Sequence, residues 1–196
     1  MTKTVAAERL IAAVDAGLSY FGENRVQEAE AKAPLVEGAR WELVGRLQSN
    51  KAARAVALFE AIHSVDSVEL AQRIGRVASE SGRVPYAVYI QVNVDDDPAK
   101  GGFGPGRLTD DLTTVTSTEG LRVVGLMTVG RLVSEPEDAR RTFAALRELS
   151  ERLQEQDPHI GPALSMGMSE DFEVAVEEGA TVVRLGRVLF GERPAG

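Results

Sequence analysis

No cysteine occurs in the 196 residues. That excludes disulfides, thiol nucleophiles and thiolate metal sites, and it accords with a reducing cytosol. Aromatic residues make up only 5% of the chain, with a single Trp, so there is no platform on which nucleobases would stack. The net charge of −8 also opposes the phosphate contacts of a nucleic-acid binder. No apolar run approaches the roughly 20 residues of a membrane span, and no basic and apolar leader opens the chain. These absences describe a cytoplasmic protein with neither a nucleic-acid nor a membrane partner, its acidic surplus a solvated surface.

Histidine is scarce too, with two residues. With no HExxH and no His–carboxylate pair at ligand spacing, no metal site is expected. DDDP at 95–98 lacks the further ligands of an EF-hand and reads as a solvated loop. A Ser-His-Asp triad would need a GxSxG elbow, which is missing. GGFGPG at 101–106 has the wrong spacing and context for a dinucleotide fingerprint, and reads as a flexible loop.

What the chain does have is alternation. Short β-branched or aromatic runs lie at Ser19–Glu23, Arg40–Gly45, Glu60–Val65, Tyr86–Val94, Arg122–Met127, Ala163–Gly167 and Thr181–Gly186. Segments with helical apolar spacing separate them: Val5–Ala16, Val26–Lys32, Asn50–Phe59, Ser67–Ser81, Arg107–Ser117, Pro136–Gln156 and Glu170–Glu178. Ser67, Pro136 and Ser169 suit helix starts, and Gly179 suits the residue past a helix end. Strand and helix in turn predict a parallel sheet under helices, either a barrel or a doubly wound sheet, in one domain spanning residues 1–196. Seven strands leave an eight-stranded barrel one short. The missing strand would precede residue 1 or be a stub of two or three residues.

All strand ends would face one side, where barrel enzymes carry their sites. In Thr181–Gly186 the alternation puts Val182, Arg184 and Gly186 on the inner face and Val183 and Leu185 on the outer. An inward arginine needs an anion, a strong acceptor or a buried Asp or Glu. Barrel phosphate sites combine the loops after the last two strands with a short helix. Here those loops are 165–169 and 186–189. Asn24, just past a strand, either orients a ligand or caps the next helix. His63 reads as a core histidine with its hydrogen bonds met. Lys3 has no role that composition assigns.

The runs FGENRVQEA (21–29), WELVGRLQSNKA (41–52), HSVDS (63–67), VYIQVN (88–93), GLMTV (125–129), LSMGMSEDFEVAVEEGAT (164–181) and VRLG…FGER (183–193) resemble the pyridoxal phosphate homeostasis proteins. These are single-domain relatives of the alanine racemase barrel, and the resemblance spans nearly the whole chain. It implies a (β/α)8 TIM barrel of the alanine racemase N-terminal domain type, with the first strand and preceding helix missing or truncated. It implies pyridoxal 5′-phosphate (PLP) as cofactor. Met1-Thr2-Lys3-Thr4 matches the motif carrying the Schiff-base lysine, which makes Lys3 the anchor. Asn24 matches an asparagine near the cofactor and Arg184 the arginine facing the pyridine nitrogen. Ser165, Gly186 and Arg187 match phosphate contacts, although a hydroxyl residue usually stands at position 187 and a proline usually follows GLMTV. The implied function is a carrier and buffer of PLP in the cell, a monomer delivering it to PLP-dependent apo-enzymes, without substantial turnover and with no catalytic residue assigned. One alternative is a fold-type III PLP enzyme such as an amino-acid racemase. It would need a second base, a tyrosine from a C-terminal β domain not found in these residues. A barrel binding another phosphorylated metabolite is the other.

Overall fold

The computed structural model describes residues 1–131 and 133–191. Its seven strands are β1 Tyr20–Glu23, β2 Arg40–Leu43, β3 Ala61–Val65, β4 Tyr86–Gln91, β5 Leu121–Met127, β6 Ala163–Met168 and β7 Val182–Arg184. They form one sheet in sequence order, every neighbouring pair parallel. Helix α1 Ala7–Asp15 precedes β1; between the strands run α2 Val26–Lys32, α3 Ala52–Leu58, α4 Val68–Glu80, α5 Pro105–Thr116, α6 Arg140–Gln156 and α7 Phe172–Glu177, and α8 Arg187–Phe190 follows β7. No helix among the described residues is long and apolar enough to cross a membrane. The seven parallel strands in sequence order make a nearly closed barrel.

The gap between β7 and β1 is spanned by a two-residue stub. The Met1 nitrogen donates to Leu185 O at 2.6 Å, and Thr2 N donates to Gly22 O at 3.0 Å. Thr2 is fully buried. Its hydroxyl donates to Glu23 Oε1 at 2.6 Å, and its carbonyl accepts from Lys32 Nζ at 2.7 Å. Lys32 also meets Glu23 at 2.6 Å. Residues 1 and 2 thus occupy the space between β7 and β1.

The sheet separates two apolar groups. The larger lies between strands and helices and includes Phe21, Trp41, Ile62, Val88, Ile90, Leu126, Phe143 and Leu146. On α6, Phe143, Leu146, Leu149 and Leu153 form the buried stripe that helical spacing dictates. Each such side chain contributes about 1.5–3 kcal/mol on burial. The smaller group, Ala61, Tyr89 and Met127 with Ala87, Val124, Ala163 and Val182 around them, fills the interior. Val182 is thus inward, as alternation requires.

Several boundaries differ from expectation. The segment 101–106 is not a free loop. Val92 and Phe103 form a bridge, Phe103 is buried, and α5 starts at Pro105 because proline supplies a first-turn φ and needs no N–H partner. Asp95 of the DDDP run is not purely solvated, because its Oδ1 accepts from Thr142 Oγ1 at 2.8 Å. The α7 N-cap is Asp171, not Ser169. Residues 192 and 193, which end the FGER run, lie outside the described residues.

Candidate functional site

At the C-terminal ends of the strands lies a cavity of about 1780 Å³. Lys3, Asn24, Arg184, Gly186 and Arg187 all line it, so five of the six residues singled out from the sequence meet in one place. Ser165 does not. It is fully buried beneath the cavity, and its Oγ is taken up by His63 Nδ1 at 3.0 Å and Arg184 Nη1 at 3.1 Å. A hydroxyl so engaged is not free for a ligand in the cavity. Ser169, four residues further, lines the cavity instead and accepts from Gly186 N at 3.3 Å. It ties the loop after β6 to the loop after β7.

Arg184 forms the floor. Its Nη1 donates to Ser165 O at 2.8 Å and its Nη2 to Thr128 O at 2.7 Å. No carboxylate lies within ion-pair distance of it among the described residues, so pairing with a buried Asp or Glu does not apply. Burial pushes its guanidinium down to about 10, with the charge of Asp171 pulling the other way, so it stays cationic at neutral pH. Its Nε has no acceptor among the described residues. A buried cation without a direct counter-ion is expensive to maintain and favours an electron-rich ligand.

The other positions follow from local chain geometry. Asn24 does not cap α2: the N-cap is Arg25, and no side chain caps there. Its amide makes no hydrogen bond among the described residues and is available to the cavity. Gly45, at the end of β2, lets the chain pass Asn24, since a Cβ there would sit 2.2 Å from Asn24 O. Lys3 precedes Thr4, whose φ of 64° is unusual for a β-branched residue. Such a backbone persists only where its neighbours fix it, and the Thr2 contacts to Glu23 and Lys32 do so. Arg187 opens α8 and pairs with Glu170. Both side chains are about half exposed (55% and 50%), and a pair so exposed contributes ~0–1 kcal/mol, so Arg187 remains free to meet an anion. The backbone N–H groups of Arg187 and Val188 have no acceptor among the described residues, as expected of a first helical turn.

The mouth is cationic although the chain is acidic. Lys3, Arg9, Arg25, Arg46, Lys51, Arg184 and Arg187 outnumber Glu28, Asp66, Glu69 and Glu170 around it. Burial raises the Asp66 carboxyl pKa, with Arg46 at 3.5 Å opposing. Such a cleft concentrates anions. None of the three tyrosines lines it. Tyr86 is buried with its hydroxyl on Phe59 O at 2.8 Å, Tyr89 stacks on His63 in the interior, and Tyr20 is exposed and bonded by Arg40.

Sequence reasoning missed Thr128, Glu42 and the part His63 plays. Glu42 is a charged residue at an inward position of β2, and that misfit was the available signal.

A profile of the alanine racemase N-terminal domain matches residues 2–194. The pyridoxal phosphate homeostasis protein of Aquifex aeolicus is 42% identical over 98% of this chain and 85% of its own length. That of Escherichia coli K12 is 35% identical over 98% of this chain and 84% of its own. Among solved structures, PipY of Synechococcus elongatus PCC7942, determined with PLP bound, superposes with a TM-score of 0.90 at 41% identity. It covers 97% of this chain and 90% of that one. Alanine racemase of Clostridium difficile 630 shares the fold alone, with a TM-score of 0.79 at 15% identity, over 96% of this chain and 49% of that one.

Proposed function

The chain belongs to the pyridoxal phosphate homeostasis proteins, within the alanine racemase N-terminal domain family, and on that premise we propose that it is a single PLP-binding barrel domain acting as an intracellular carrier and buffer of the cofactor. The observation that carries this reading is Arg184, a buried guanidinium with no carboxylate beside it, its free Nε at the floor of a cation-lined cavity.

The residues present fit the group. A phosphate would be held by the loops after β6 and β7: the Ser169 hydroxyl, the backbone at Gly186 and Arg187, and the Arg187 side chain, drawn from Glu170. Ser169 takes the place first expected of Ser165. Arg184 would face the pyridine nitrogen, Asn24 the ring, and Lys3 would be the covalent anchor for the aldehyde. PLP can act as an electron sink in carbanion chemistry when its ring nitrogen is protonated. An arginine that stays cationic at neutral pH, set opposite that nitrogen, would keep the proton off and weaken that capacity. No tyrosine lines the cavity among the described residues, so no phenol stands there to act as the second base that a racemase of the related barrels uses. Both features favour holding and releasing the cofactor over a racemase; that it does so as a cytoplasmic monomer is part of the same proposal.

The test compares transfer with turnover. Loaded protein mixed with an apo-aminotransferase restores its activity, while the protein itself exchanges the α-proton of alanine for deuterium no faster than free PLP does. Enzyme-like exchange, with no transfer, would make the racemase reading the correct one.

A further inference from the structure

Beneath Arg184 a line of hydrogen bonds runs through the barrel interior. Arg184 Nη1 reaches Ser165 Oγ at 3.1 Å, Ser165 Oγ lies 3.0 Å from His63 Nδ1, and His63 Nε2 lies 3.0 Å from Glu42 Oε2. Four strands, β7, β6, β3 and β2, supply one side chain each. The chemistry of the groups sets a direction. A guanidinium only donates, so Ser165 Oγ accepts from it and is free to give its own proton to His63 Nδ1. With Nδ1 accepting, the ring proton lies on Nε2 and is donated to the Glu42 carboxylate. Every member is satisfied in that arrangement. In the reverse tautomer, with the proton on Nδ1, Glu42 would face a lone pair.

The surroundings ask for a reason. The neighbouring interior is apolar, formed by Ala61, Tyr89 and Met127, and His63 is wholly buried, with the Tyr89 ring stacked 4.1 Å from its own. Apolar residues of similar volume would fill that space without a polar network to satisfy. What the line provides is a Ser165 hydroxyl whose own proton is engaged by His63, so that its lone pair is turned to Arg184. A carboxylate placed directly on the guanidinium would compete with a ligand for it. Held from its far side by His63, the Ser165 hydroxyl fixes one edge of the guanidinium and leaves Nε for the cavity.

We propose that Glu42 and His63 are positioning residues for Arg184, acting through the Ser165 hydroxyl to hold the guanidinium in the orientation that meets a ligand. Its consequence for PLP rests on the function proposed above. His63 and Glu42 touch no ligand themselves.

Nitrogen NMR on cofactor-free protein tests the relay alone. The His63 ring is expected to show a protonated Nε2 and a bare Nδ1, and the Arg184 Nη resonances to be separate because rotation is hindered. In His63→Phe and in the milder Glu42→Gln the Arg184 Nη1 resonance is expected to shift, while Nη2, held on Thr128 O, moves less. PLP affinity should fall about tenfold in His63→Phe, the equivalent of one net hydrogen bond. His63→Gln, whose carboxamide can accept from Ser165 and donate to Glu42, should recover most of it. Should His63→Phe not fold, Glu42→Gln carries the same comparison. An Nδ1–H tautomer, or Arg184 resonances unchanged in a folded variant, overturns the proposal. If the resonances respond as stated but wild-type protein takes up no PLP, the relay stands and the proposed function is what fails.

Discussion

Arg184 is held by two carbonyls and a hydroxyl, and removing it therefore acts on stability and ligand binding together. Arg184→Met leaves the Thr128 carbonyl without its donor inside the barrel, at about 1–3 kcal/mol, while Ser165 O keeps the bond from Thr128 N at 3.2 Å. Relief of a buried charge offsets part of this. Denaturant unfolding should show a net loss, and a PLP titration at least a tenfold weakening. Arg184→Lys keeps the charge but not the planar fork, and its affinity should fall between the two. Tyr86 gives a cleaner stability test because it is far from the cavity lining. Tyr86→Phe deletes the bond to Phe59 O and should cost about 1 kcal/mol at neutral pH. Burial raises the Tyr86 hydroxyl pKa, so above pH ~10, where the unfolded tyrosine ionises, wild-type stability falls as pH rises. Melts of the two proteins from pH 7 to 11 should converge, and a gap that widened with pH would contradict this account.

At the scale of elements, the strand ends are set against each other by backbone approaches that only glycine permits. Gly45→Ala would put a Cβ 2.6 Å from Asn24 Cα and 2.7 Å from its carbonyl carbon, contacts that move only with the backbone. The expected cost is about 2–3 kcal/mol in thermal melts, accompanied by weaker cofactor binding because the end of β1 carries Asn24. The strand and helix order was legible in the sequence because β-branched runs and helical stripes alternate without interruption, as in YAVYIQ against the α6 stripe. Lys3, Asn24 and Arg184 were legible through motif position and inward alternation. Ser165 was expected at the cavity and lies beneath it, because alternation gives a face but not a depth. Whether an inward hydroxyl meets ligand or neighbour depends on His63 and Arg184, from β3 and β7. The bridge of Val92 to Phe103 was hidden for a similar reason: a glycine-rich stretch reads as loose until its phenylalanine is seen buried.

Across the whole molecule, a chain of net charge −8 carries a cationic mouth, so a dianionic cofactor is repelled by most of the surface and drawn to one place. Uptake of PLP, followed by stopped-flow absorbance, should slow several-fold as salt rises from about 10 mM to about 500 mM, because the Debye length then falls from ~30 Å to a few ångströms. A rate indifferent to salt would mean that the mouth does not steer its ligand. The stub at Met1 and Thr2 and the tie of Thr2 to Lys32 and Glu23 hold Lys3 at the edge of that mouth. The most direct measurement of the central claim is borohydride reduction of the PLP-loaded protein, followed by peptide mass spectrometry. One pyridoxyl group on Lys3, lost in Lys3→Ala while some cofactor remains bound through the β6 and β7 loops, is the predicted result. A protein that stays colourless with ample PLP, or a single adduct on another lysine such as Lys51, would contradict it.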